Sequence, residues 1–107
     1  MLYKFKSKAA GDLIMLEPNG RRVLEIVGKT PESKGIILPV DMRTAIAALE
    51  AAVEQEETER RAATDKARSE GAPAPVFDAV SLRQRAAPMI DMLRRCAKAE
   101  AEIVWGV

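Results

Sequence analysis

Alternation is the first pattern along the chain. From Leu2 to Ser7, Tyr3 and Phe5 fall on one side and Lys4 and Lys6 on the other, the period of two of a half-buried strand. The lysines suit a sheet edge, where charge discourages pairing with other chains. Gly11 and Asp12 read as the end of a short turn, and Leu13-Ile14-Met15-Leu16 is apolar on both faces. That run predicts a more deeply buried strand over 12–17, paired with the first as a hairpin. Asn19-Gly20 admits two readings. A type I′ turn there makes Arg21 to Val27 a third hairpin strand. A helix over 20–27, capped by Asn19 and ended by Gly28, fits Val23, Leu24 and Val27 on one face and is favoured, since Val23, Leu24, Ile26 and Val27 do not alternate cleanly. Gly35-Ile36-Ile37-Leu38 is a short apolar segment closed by Pro39.

The period then changes to that of a helix. Met42, Ile46, Leu49 and Val53 recur at helical spacing behind Asp41, an expected N-cap, and predict a helix near 41–58. Beyond Val53 no large apolar side chain appears until Val76, although Glu56–Arg60 and Glu57–Arg61 stand in the favourable i,i+4 order. A helix continued to Ser69 spans roughly 42 Å, more than a compact domain with a radius of gyration of about 13 Å can cover. Its distal half therefore projects or frays. The polar extension and a Pro/Ala linker, Gly71-Ala72-Pro73-Ala74-Pro75, together occupy about 56–78. Ser81 and Gln84 form an S-x-x-Q capping box that opens a helix over 81–98, with Leu82, Ala86, Met89, Leu93 and Cys96 as its stripe and Pro88 off it. Ile103-Val104-Trp105 is a short strand that is stable only by joining the earlier sheet. The fold expected is α+β: one domain over 1–107, with a small, mostly antiparallel sheet of 2–7, 12–17 and 103–105 under two to three helices.

Composition narrows the chemistry. The 107 residues carry a net charge of +1, a single cysteine and no histidine. Without histidine the commonest general base and metal ligand are both missing. One cysteine provides neither a disulfide nor a zinc framework, and Cys96, on the apolar stripe, reads as an inert buried thiol. No apolar run comes near the ~20 residues of a membrane helix. No apolar leader precedes the first strand, so the cytoplasm is the expected compartment. Gly20 and Gly28 lie too far apart for a phosphate loop. Glu54, Glu56, Glu57 and Glu59 spread around their helix and are followed by Arg60 and Arg61, the pattern of a solvated, ion-paired surface. No catalytic residue, cofactor, metal or small-molecule ligand is implied.

Both ends of the chain are distinctive together. Met1-Leu2-Tyr3-Lys4-Phe5-Lys6-Ser7-Lys8, Gly11-Asp12-Leu13-Ile14-Met15-Leu16 and the closing Ile103-Val104-Trp105-Gly106-Val107 resemble a small bacterial family known as domain of unknown function 1840. Ser81-Leu82-Arg83-Gln84-Arg85 with Pro88, ahead of Met92-Leu93, is similar to it as well. The resemblance implies one domain spanning both ends in a bacterial cytoplasm and attaches no activity. The leading functional expectation is a non-catalytic interaction or accessory module acting through protein partners or self-association. Arg83, Arg94 and Lys98 on one side of the last helix are its candidate partner-binding residues. The alternative is a nucleic-acid-binding accessory protein using Lys4, Lys6, Lys8 and the last helix's arginines, although the interleaved aromatics of a stacking surface are missing there. An enzyme working through carboxylates and arginines ranks last.

Overall fold

Tyr3 and Phe5 turn their rings to the interior, and Lys4 stands exposed on the opposite face of the strand. The computed structural model describes residues 2–106; Met1 and Val107, the outer ends of the expected domain, lie outside the described residues. Strand β1 (Leu2–Ser7) pairs antiparallel with β2 (Ala10–Leu16) on one side. On its other side it pairs with β4 (Ile103–Trp105), which in turn pairs with β3 (Gly35–Ile37). The strand order is β2-β1-β4-β3, and every pairing is antiparallel. Three helices complete an α+β fold: α1 (Glu17–Ile26), α2 (Pro39–Ser69) and α3 (Leu82–Ala99).

The sheet differs from the sequence expectation in three respects besides a fourth strand. First, β1 is an interior strand, so its lysines do not guard an edge; β2 forms that edge. Second, β2 is not buried on both faces: Met15 is buried, whereas Ile14 and Leu16 are 56% and 61% exposed. Among the described residues the helices cover one side of the sheet, and the apolar side chains Ile14 and Leu16 on the other side stand exposed. Third, the turn is Lys8-Ala9, and β2 begins at Ala10. The pairing passes from Phe5↔Leu13 to Ser7↔Ala10, so Gly11-Asp12 take up an extra residue as a bulge, a position glycine tolerates well. The segment Gly35-Ile36-Ile37, which lacks a clear period, becomes the fourth strand because β4 offers it an edge.

Close approach explains one glycine. A Cβ on Gly35 would lie 2.2 Å from Cζ2 of the Trp105 indole, directly across the β3–β4 pair. Trp105 is fixed in turn by an edge-on contact with Phe5, ring centroids 5.8 Å apart. Its Nε1–H donates to the Glu32 carbonyl at 3.0 Å, and the Tyr3 hydroxyl donates to the Pro31 carbonyl at 3.1 Å. Two aromatic side chains of the sheet thus anchor the loop before β3.

Both helices after the hairpin start earlier than their polar caps suggest. Residues 20–26 are helical rather than part of a third hairpin strand and Val27 is the C-cap, but α1 begins at Glu17, and Asn19 lies inside its first turn. Likewise α2 begins at Pro39 with Leu38 at the cap position, and Asp41 is a first-turn acid rather than the cap. The cause is shared: Pro18 and Pro39 have no N–H to lose and a φ already suited to the first helical turn. Gly28, at φ +84°, follows the end of α1 as expected. Helix α2 runs past residue 58 to Ser69, about 46 Å of helix in a molecule 52 Å long with a radius of gyration of 16.0 Å.

Helix α3 starts one residue after Ser81, whose hydroxyl accepts from the Gln84 N–H at 3.2 Å while Gln84 Oε1 accepts from the Ser81 N–H at 2.9 Å. Its stripe of Leu82, Ala86, Met89, Leu93 and Cys96 is buried, joined by Met92. These side chains meet Met42, Ala45, Leu49 and Val53 of α2, Val23 and Leu24 of α1, and the covered face of the sheet in one core.

Candidate interaction surfaces

The first surface is the seam between α2 and α3, where the expected partner-binding arginines lie. Arg83 donates to both carboxylate oxygens of Glu57, from Nε at 2.7 Å and Nη2 at 2.8 Å. This two-pronged bond holds the Glu57 carboxyl below the usual carboxylate range and raises Arg83. Arg94 pairs with Glu50 at 3.4 Å, and Lys98 is exposed further along α3. The arginines therefore stand beside acids of α2, along a groove of about 550 Å³ that also presents Glu54 and Asp91. Sequence spacing places the arginines on one side of α3 but carries no information about which helix lies opposite.

Glu56 is the residue whose environment the sequence conceals most. Spacing pairs it with Arg60, and that contact exists at 3.2 Å. Its side chain is nevertheless only 13% exposed, and it also accepts from the Leu82 N–H at 3.0 Å and from Arg22 at 3.2 Å. One carboxylate thereby ties α1, α2 and the first turn of α3 together. Burial pushes its pKa up and is the largest single effect; the Leu82 N–H, Arg60 and Arg22 together outweigh it and leave the carboxyl below its usual range. A carboxylate at a helix N-terminus is also favoured by the orphan N–H groups there.

The second surface is the uncovered face of the sheet. The register places Leu2 opposite Leu16, Lys4 opposite Ile14, and Lys6 opposite Val104, with Ile36 on the far side of Val104. Leu2 is 59% exposed, and Ile36 is exposed as well. Lys4 reaches Asp12 at 3.6 Å. The face is an apolar field crossed by a row of lysines, with no aromatic ring on it.

Lys4 and Lys6 lie on the side of the sheet opposite the core that α3 covers. Lys6 and Lys8 border a cavity that reaches Ala99 at the end of α3, and none of the last helix's arginines lines it. Cys96 is fully buried. Among the described residues, no group of three or more His, Cys, Asp or Glu side chains is placed to hold a metal ion, and no helix is long and apolar enough to cross a membrane.

The family described as Domain of unknown function (DUF1840) matches residues 1–105. The chain matches no curated protein and no solved structure.

Proposed function

The chain belongs to that family, and from its geometry we propose that it is a non-catalytic interaction module of the bacterial cytoplasm, working through protein partners or self-association. One observation carries the proposal: a four-stranded sheet has helices on a single face, leaving Leu2, Ile14, Leu16 and Ile36 exposed on the other. Contiguous exposed apolar patches on folded proteins mark contact surfaces more often than chance. Lys4 and Lys6 within the field give such a contact orientation and charge preference. The ion pairs of Arg83 and Arg94 with α2 turn the weight of the proposal from the last helix to the sheet.

Partner capture from native lysate tests the reading. Ile36→Asp with Lys6→Glu alters the uncovered face without touching the core. The double variant is expected to fold like the unmodified chain by circular dichroism and to lose the captured partner. An identical partner list from both proteins would remove this face as the working surface. A partner that vanishes after nuclease treatment would transfer the proposal to nucleic acid.

A further inference from the structure

The two edges of the sheet are not alike. Strand β3 is three residues long, preceded by Lys34 and followed closely by Pro39, devices that discourage pairing with another chain. Strand β2 has seven residues, no lysine and no proline, and no strand pairs with its outer edge among the described residues. Its bulge lies at the Gly11-Asp12 end, so Leu13 to Leu16 form a regular edge. Asp12 is its only charge, and Lys4 of the neighbouring strand already partners it. Ile14 and Leu16 stand exposed along this edge.

We propose that β2 pairs antiparallel with β2 of a second copy of this chain, about a twofold axis through Ile14, to make a continuous eight-stranded sheet. This deepens the self-association branch of the proposed function and rests on it. A twofold perpendicular to the sheet brings residues of equal face together, so Ile14 meets Ile14 of the other copy and Leu13 meets Met15. Asp12 then lies opposite Leu16. An axis through Asp12 would instead oppose two carboxylates. On the uncovered face, Ile14, Leu16 and Leu2 of both copies merge into one apolar strip. A strand pair this short buries less than the ~800 Å² per partner of a standard interface, so the dimer is a weak, exchanging one that fills at high protein concentration.

Cysteine cross-linking on the purified full chain tests the arrangement, since Cys96 is buried. Paired Cα atoms in an antiparallel ladder are ~4.5–5.5 Å apart, within the ~4.4–6.8 Å a disulfide spans. Ile14→Cys is therefore expected to give a covalent dimer under mild oxidation, with unchanged circular dichroism. Ile36→Cys, on the far edge, is expected to stay monomeric: seven strand spacings of ~4.8 Å separate the two β3 strands, roughly 34 Å. Sedimentation should show the unmodified chain dimerising between ~10 μM and ~1 mM, and Ile14→Lys should remain monomeric over that range. A chain that is monomeric at ~1 mM, or cross-linking at position 36 as efficient as at 14, would overturn the edge pairing. Partner capture through the open face could still succeed after either result, so the two proposals fail separately.

Discussion

Removing the Glu56 carboxylate should unfasten three helices at once. Glu56→Ala leaves the Leu82 N–H in a half-buried site without its acceptor and frees Arg22 and Arg60. Hydrogen bonds to charged groups contribute ~1.5–3 kcal/mol, and the two ion pairs, each with a partly exposed arginine, add ~0.2–1 kcal/mol apiece at most. The desolvation already borne by the carboxylate offsets part of this sum. The expected loss is about 2–3 kcal/mol, from a total stability of roughly 5–15 kcal/mol. Urea unfolding followed by circular dichroism measures it directly; with a slope of ~1–3 kcal/mol/M, the midpoint should fall by ~0.7–3 M. Acid adds a second readout. Because the folded pKa is depressed, the stabilisation is fully present above the unfolded pKa of ~4.3 and disappears as pH falls through the folded value. The stability gap between the unmodified chain and Glu56→Gln, which keeps an acceptor for Leu82 but not the charge, should therefore narrow as pH falls below the unfolded value and through the depressed folded one. A loss under ~0.5 kcal/mol for Glu56→Ala, or a gap that stays constant from pH 6 to pH 3, would refute the reasoning.

Gly35→Ala should drive the added methyl into the Trp105 indole and cost about 1–3 kcal/mol, read as a lower melting temperature with a red-shifted emission from the chain's single tryptophan; unchanged emission and melting would contradict the packing. Glu100 holds φ 54° in the left-handed region after α3, so Glu100→Gly should raise stability by about 0.5–1 kcal/mol in the same urea assay, and a loss would argue against backbone strain there. Replacing residues 63–74 with a short Gly/Ser connection should leave the melting temperature nearly unchanged, because only Thr64 and Ala67 are half-buried among the helical residues removed. A fall beyond about 4–8 °C, the equivalent of ~1 kcal/mol, would show that the distal turns of α2 carry tertiary stability.

The parts of this fold legible in the sequence are those where one local signal acts alone. Tyr3 and Phe5 alternate with lysines, and Leu82, Ala86, Met89, Leu93 and Cys96 repeat behind a capping box; both elements stand nearly where the pattern puts them. Helix starts were misplaced where two local signals compete, since Asn19 and Asp41 look like caps while Pro18 and Pro39 set the first turn. Of the strand order, only the β1–β2 hairpin was legible. An apolar run such as Leu13 to Leu16 reads the same at an edge as in the interior, and only the insertion of β4 beside β1 decides that β2 is outermost. The candidate surface divides similarly. The spacing of Arg83 and Arg94 is visible in the chain, but Glu57 and Glu50, which receive them, lie on another helix. Glu56 shows one partner at i+4, and its other contacts, Arg22 and Leu82, lie 34 and 26 residues away.

The position of β4 between β1 and β3 also sets the order in which the molecule can assemble. Phe5 pairs with Trp105, and Gly35 pairs with the same residue from the other side. Closing a loop of about 100 residues carries an entropic cost that grows as (3/2)RT ln n, roughly 4 kcal/mol before any contact repays it. During synthesis the hairpin and the helices can form locally, but two strand edges and the cleft awaiting the indole stay open until residue 105 emerges. The interval before that closure is when the chain is most exposed to mispairing. A single short segment, Ile103-Val104-Trp105, ends that interval by joining both halves of the sheet in one event.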